Sequence, residues 1–128
     1  MKKSTCIIVT DRPSKWVYYK EMLEEFEGVT VSICRTIAEI DKYLDEKKYS
    51  FSIISNTMRE FEANPFNAGA DEITPIFEKR SIPYVLLSTT MEYPNTDNKN
   101  LGNCIYEGLM VTTNPSELVK ILKEHKLL

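Results

Sequence analysis

Three short, almost uninterrupted apolar runs constrain this chain more than any other feature: Cys6 to Val9, Phe51-Ser-Ile-Ile54 and Ile82-Pro-Tyr-Val-Leu-Leu87. A strand with one face in water alternates apolar and polar residues, whereas a strand covered on both faces reads as a continuous run. The stretches between the runs carry helical periodicity. Parallel strands cannot be joined by a tight hairpin, and right-handed crossovers place the connecting helices on both sides of the sheet. The pattern therefore predicts an α/β protein with one doubly wound sheet of five parallel strands.

The remaining elements follow from local chemistry. After the first run, Thr10-Asp11-Arg12-Pro13-Ser14 forms a turn in which Pro13 suits a first helical turn and Asp11 or Ser14 can cap it. Trp16, Tyr19, Leu23 and Phe26 then recur at helical spacing as far as Gly28, a natural stop, with Val17 and Met22 beside them. Val29 to Cys34 alternates as an edge strand does. Thr36 and Glu39 match a capping box for a second helix, with Ile37, Ile40, Tyr43 and Leu44 inward and Lys47-Lys48 near its end. From Met58 to Ala70 the composition predicts a loop or a frayed helix start, followed by a helix from about Asp71 to Lys79 with Pro75 in its first turn. A second irregular stretch surrounds Tyr93 to Asn100. A weak helix over Leu101 to Glu107 and a fifth strand at Leu109-Met-Val111 complete the alternation, and Asn114-Pro115-Ser116-Glu117 opens the last helix, with Leu118, Ile121 and Leu122 as its inner stripe.

Composition narrows the function classes. The 128 residues are 42% hydrophobic and 27% charged, the profile of one ordinary globular domain spanning residues 1–128. With 16 Lys+Arg against 19 Asp+Glu the net charge is −3, so no basic field draws in phosphate backbones or anionic lipid. This argues against nucleic-acid and membrane partners, and no run approaches a membrane span or a signal-peptide core. The 3 cysteines, Cys6, Cys34 and Cys104, show no metal-ligand spacing, and the 1 histidine is His125. These features predict a reducing, cytoplasmic setting, idle thiols and no zinc.

In a sheet of this kind ligands sit beyond the carboxyl ends of the strands. Those ends read Thr10-Asp11, Ser55-Asn56-Thr57, Ser88-Thr89 and Thr112-Thr113-Asn114. The rim is rich in hydroxyls and amides and poor in acids, bases and cations, and such residues equally serve as caps and turn formers.

Four strings in this order resemble the receiver domain of bacterial response regulators over almost the whole chain. Cys6-Ile-Ile-Val-Thr-Asp11-Arg-Pro13 is similar to the family's first strand and acidic turn, and Tyr49-Ser-Phe-Ser-Ile-Ile-Ser55-Asn-Thr-Met58 to its third strand with the following methionine. Ile82-Pro-Tyr-Val-Leu-Leu-Ser88 is similar to the fourth strand with its hydroxyl switch residue, and Val111-Thr-Thr-Asn114-Pro115-Ser-Glu-Leu118 to the fifth strand and its Lys-Pro turn. The resemblance implies the flavodoxin-like, CheY-like sheet order 2-1-3-4-5.

The departures from that pattern bear on activity. Family members hold Mg²⁺ with an acidic pair after strand 1 and the phosphoacceptor aspartate that ends strand 3. Carried over, the pair becomes Thr10 and Asp11, and the acceptor becomes Ser55, or Asn56 if the register moves by one. The phosphoryl-contacting lysine becomes Asn114, the aromatic switch becomes Val111 or Met110, and the hydroxyl Ser88 is retained. A hard divalent cation needs carboxylates to offset its dehydration, and this rim is short of about two of them. The expectation is a pseudo-receiver with no cofactor and at most weak Mg²⁺ binding, not an enzyme, that signals through protein contacts.

Three other readings compete. The first is a phosphorelay receiver with an atypical acceptor or metal site. The second is a flavodoxin-like domain that binds a small ligand, although Thr10-Asp-Arg-Pro-Ser-Lys15 has no glycine to cradle phosphate. The third is a Cys6 nucleophile, disfavoured because Cys6 opens an apolar run and should be buried. In the family the last helices and strand 5 make homodimers or dock effectors, which points to Leu101, Tyr106, Val111, Leu118 and Leu122 as an interaction face. Tyr18, Tyr19, Trp16 and Met22 on the first helix are a second face, although aromatics at this spacing more often belong to a core.

Overall fold

The computed structural model describes residues 4–10, 13–55, 70–88, 102–109 and 113–128. Five parallel strands, β1 (Thr5–Val9), β2 (Thr30–Cys34), β3 (Phe51–Ser55), β4 (Tyr84–Ser88) and β5 (Cys104–Leu109), form one sheet in the order β2-β1-β3-β4-β5. The described helices are α1 (Val17–Glu27), α2 (Ile37–Glu46), α3 (Ala70–Lys79) and α4 (Pro115–Glu124), with a 3-10 turn over Pro13–Trp16 leading into α1. The expected class and strand order are those observed.

The continuous apolar runs are the central strands because both of their faces are covered. Alternate residues of β1, β3 and β4 feed two cores. Cys6, Ile8, Phe51, Ile53, Val85 and Leu87 pack with Trp16, Tyr19 and Leu23 and with Leu118 and Leu122 of α4. Ile7, Val9, Ile54, Tyr84 and Leu86 pack on the other face with Ile40 and Leu44 of α2 and Ile73 and Phe77 of α3. Inside this second face the Ser52 hydroxyl donates to the Ile7 carbonyl at 2.8 Å, which removes the cost of burying it.

Several helix ends were written in the local sequence. Thr36 Oγ1 accepts from the Glu39 amide at 3.2 Å, and the Glu39 carboxylate accepts from the Thr36 amide at 3.2 Å, so the capping box is formed at both bonds. Asn114 caps α4 by accepting from the Glu117 amide at 2.9 Å, with Pro115 in the first turn. Gly28 ends α1 at φ 67°, the left-handed region that glycine enters without penalty.

Four expectations are corrected. No helix spans 101–107: residues from Cys104 onward pair with β4, so the fifth strand is Cys104–Leu109 instead of 109–111. Pro75 lies inside α3 instead of in its first turn. Ser14 does not cap α1, whose N-cap is Trp16 with no side-chain bond. Finally, Phe26, expected on the inner face of α1, is 71% exposed.

Candidate functional site

The carboxyl ends of β1, β3 and β4 lie side by side. Val9 pairs with Ile54 and Ser55 with Leu87, so Thr10 and Ser55 follow at adjacent positions of one rim, and Ser88 closes β4 beside Leu109 of β5. Thr10 and Ser55 are both buried, and the Thr10 amide donates to the Cys34 carbonyl at 3.0 Å, continuing the β1–β2 ladder. Both supply neutral hydroxyl oxygens. Asp11, Asn56, Leu101 and Val111 lie outside the described residues. The rim donors that are described do not fit a hard divalent cation, which takes carboxylates to compensate for lost water.

The Asn114 side-chain oxygen caps α4 by accepting from the Glu117 amide at 2.9 Å. Its neighbour Thr113 is the polar centre of the region. Thr113 is fully buried, its carbonyl accepts from the Tyr19 hydroxyl, and its hydroxyl lies 3.0 Å from that of Tyr106. Three elements, α1, β5 and the start of α4, are joined by these bonds. Burial pushes the Tyr19 hydroxyl above its ordinary pKa. Tyr106 is the aromatic residue of β5; Met110 and Val111, the expected places of the aromatic switch, lie outside the described residues.

The interaction face expected from Leu101, Tyr106, Val111, Leu118 and Leu122 is corrected in part. Leu118 and Leu122 are 1% and 0% exposed and fill the core under α1, so neither can meet a partner. Tyr106 is half-buried.

The first helix divides differently from expectation. Trp16 and Tyr19 are buried, with ring centroids 5.0 Å apart, while Tyr18 is 74% exposed and Phe26 is 71% exposed. Tyr18, Met22 and Phe26 stand at i, i+4 and i+8, a second apolar stripe beside the one that packs inward. They line a groove of about 510 Å³ with Tyr19, Glu21, Glu25, Asn114 and Pro115. The sequence held the signal: α1 carries more apolar residues than one stripe against the sheet can bury.

Cys6 is fully buried as expected, and burial holds its thiol well above the ordinary range, which leaves it inert as a nucleophile. Among the described residues no helix is long and apolar enough to cross a membrane.

No protein-family model and no curated protein sequence matches the chain. Solved structures do. A CheY-like response regulator receiver domain from Methanospirillum hungatei superposes with a TM-score of 0.72 over 97% of this chain and 94% of its own, at 18% identity. The response regulator TrrA of Thermotoga maritima, solved in complex with Mg²⁺ and BeF, gives 0.68 over 98% and 99% at 22% identity. The chemotaxis response regulator CheY4 of Vibrio cholerae gives 0.67 over 99% and 100% at 18% identity. Strand order and superposition lead to one conclusion: this chain has the fold of a CheY-like response regulator receiver domain.

Proposed function

We propose that this protein is a pseudo-receiver, a signalling module that works through protein contact without forming an aspartyl phosphate. The neutral donors Thr10 and Ser55 at the rim support the loss of Mg²⁺-dependent phosphorylation, because a serine hydroxyl with no carboxylate or base beside it among the described residues is neither a metal ligand set nor an activated nucleophile. A direct test follows Trp16 fluorescence during Mg²⁺ titration with and without beryllofluoride. The expected result is no saturable response below about 1 mM metal; a saturable one restores the phosphorelay reading.

The observation that carries the interaction reading is the exposed stripe on α1. Two large aromatic side chains at 74% and 71% exposure, Tyr18 and Phe26, flank an apolar groove, and Glu21 and Glu25 edge the same face. Contiguous exposed apolar surface rimmed by charge is the signature of a docking face, and the acidic edge favours a partner that presents basic residues around apolar anchors. The test compares proteins retained by the wild-type chain and by a Tyr18→Ser/Phe26→Ser variant. A specific partner lost with the two aromatics supports the reading; identical retention by both chains removes α1 from it.

A further inference from the structure

At the amino ends of the strands, the opposite end of the sheet from the rim, a second cavity of about 620 Å³ opens between the turn after α2, the turn after α3 and the starts of β1 and β3. Its size falls within the range of small-molecule sites, roughly 300–1,000 Å³. Three cations, Lys47, Lys48 and Arg80, line it, and none of its lining residues is acidic. That is an unusual concentration of positive charge on a chain whose net charge is −3.

The three cations are not equivalent. Arg80 is already engaged, 2.9 Å from Asp45 and 4.0 Å from Asp41. Neither lysine is ion-paired among the described residues; Lys47 Nζ lies 5.4 Å from the centroid of the Tyr49 ring. Two ammonium groups without an ion-pair partner among the described residues, on one concave wall, match a dianion better than a single carboxylate, and a phosphomonoester carries about −1.5 to −2 at neutral pH.

The floor and the donors are fixed by the backbone. Ser50 and Thr5 clamp each other, with each hydroxyl accepting from the other's amide at 3.1 Å, and Thr5 Oγ1 donates to the Lys48 carbonyl at 2.8 Å. This ties the lysine-bearing turn to β1. The Ser50 hydroxyl, having accepted, still has its proton to donate. Leu44, Tyr49 and Ile82 supply apolar wall, which inorganic phosphate alone would leave uncovered.

We propose that this cavity is a binding site for a small organic phosphate, its phosphoryl group between Lys47 and Lys48 and its organic body on Leu44, Tyr49 and Ile82. The site lies a full strand length from the rim and does not depend on the state of Thr10 or Ser55.

Isothermal titration calorimetry of the full chain at low ionic strength tests it, with AMP and phenyl phosphate as probes and adenosine as the uncharged comparison. Both phosphates are expected to bind saturably and adenosine to bind at least about tenfold more weakly than AMP. Lys48→Gln, an exposed change that keeps the backbone carbonyl used by Thr5, is expected to weaken both phosphates about tenfold. Lys120→Gln, the same charge change on α4, is expected to leave them unchanged. The proposal is overturned if neither phosphate saturates by about 10 mM, if adenosine binds as tightly as AMP, or if the two lysine variants weaken binding equally.

Discussion

Tyr106 reaches Thr113 across the end of β5, with the two hydroxyl oxygens 3.0 Å apart, and it does so by lying over Gly108. A Cβ built at Gly108 would stand 2.7 Å from the Tyr106 Cζ and 2.8 Å from its Cε2, closer than real side chains approach. The glycine is therefore a requirement of the tyrosine's position, not of backbone conformation. Gly108→Ala is expected to displace the Tyr106 ring, break its bond to Thr113 and cost about 1–3 kcal/mol. Tyr106→Ala should abolish that cost in a double-mutant cycle; purely additive losses in urea denaturation would show that the ring does not depend on Gly108.

Glu78 joins α3 to the amino ends of both β4 and β5. One carboxylate oxygen accepts from the Tyr84 hydroxyl at 2.6 Å and from the Asn103 amide at 2.9 Å. Glu78→Ala leaves two part-buried donors without a partner, and a loss of about 1–3 kcal/mol is expected. Glu78→Gln keeps an acceptor and should recover part of it. The measurement is the denaturation midpoint, with hydrogen exchange at Asn103 reporting the local bond.

Two left-handed residues give opposite expectations. Gly28 sits at φ 67° with open space where a Cβ would be, so Gly28→Ala tests backbone conformation alone and should cost about 1 kcal/mol. Ser81 sits at φ 57° after α3, where its amide donates to the Glu78 carbonyl and the Ile82 amide to the Phe77 carbonyl in a helix-ending turn. Ser81→Gly removes the Cβ penalty and should stabilise by about 0.5–1 kcal/mol. A loss of stability in the Ser81 variant would count against this account.

Alkaline solution should destabilise the fold. Burial, with a smaller contribution from the negative charge of Glu39, pushes the Cys34 thiol from 9.0 to about 12. Burial also raises the Cys6 thiol and the Tyr49 hydroxyl, and burial together with the bond to Glu78 raises that of Tyr84. The unfolded chain loses these protons at ordinary values while the folded chain keeps them. The stabilisation is therefore whole below about pH 9 and is lost as pH rises toward 12. Urea midpoints measured on either side of pH 9 should fall on the alkaline side, and Cys34→Ala should flatten the slope. A flat profile in the wild-type chain would contradict the buried setting of these groups.

The sequence alone determined what depends on neighbours a few residues away. Thr36 and Glu39 form their capping box, Asn114 and Pro115 open α4, and the runs at Cys6 to Val9 and Phe51 to Ile54 declare strands covered on both sides, since these signals need only local bonds or a period of one element. From those signals the α/β class and the hydroxyl-rich rim were legible. The tertiary structure decided the rest. Cys104 to Leu109 is a strand because β4 offers it a ladder, with a register shift between Tyr84 and Val85, and nothing in Cys-Ile-Tyr-Glu-Gly-Leu distinguishes that from a short helix. Periodicity showed that α1 has apolar faces, but only docking on the sheet chose Trp16, Tyr19 and Leu23 for the core and left Tyr18 and Phe26 outside. Lys47, Lys48 and Arg80 meet because two turns distant in sequence end at the amino end of one parallel sheet, a proximity that chain order does not encode and crossover geometry does.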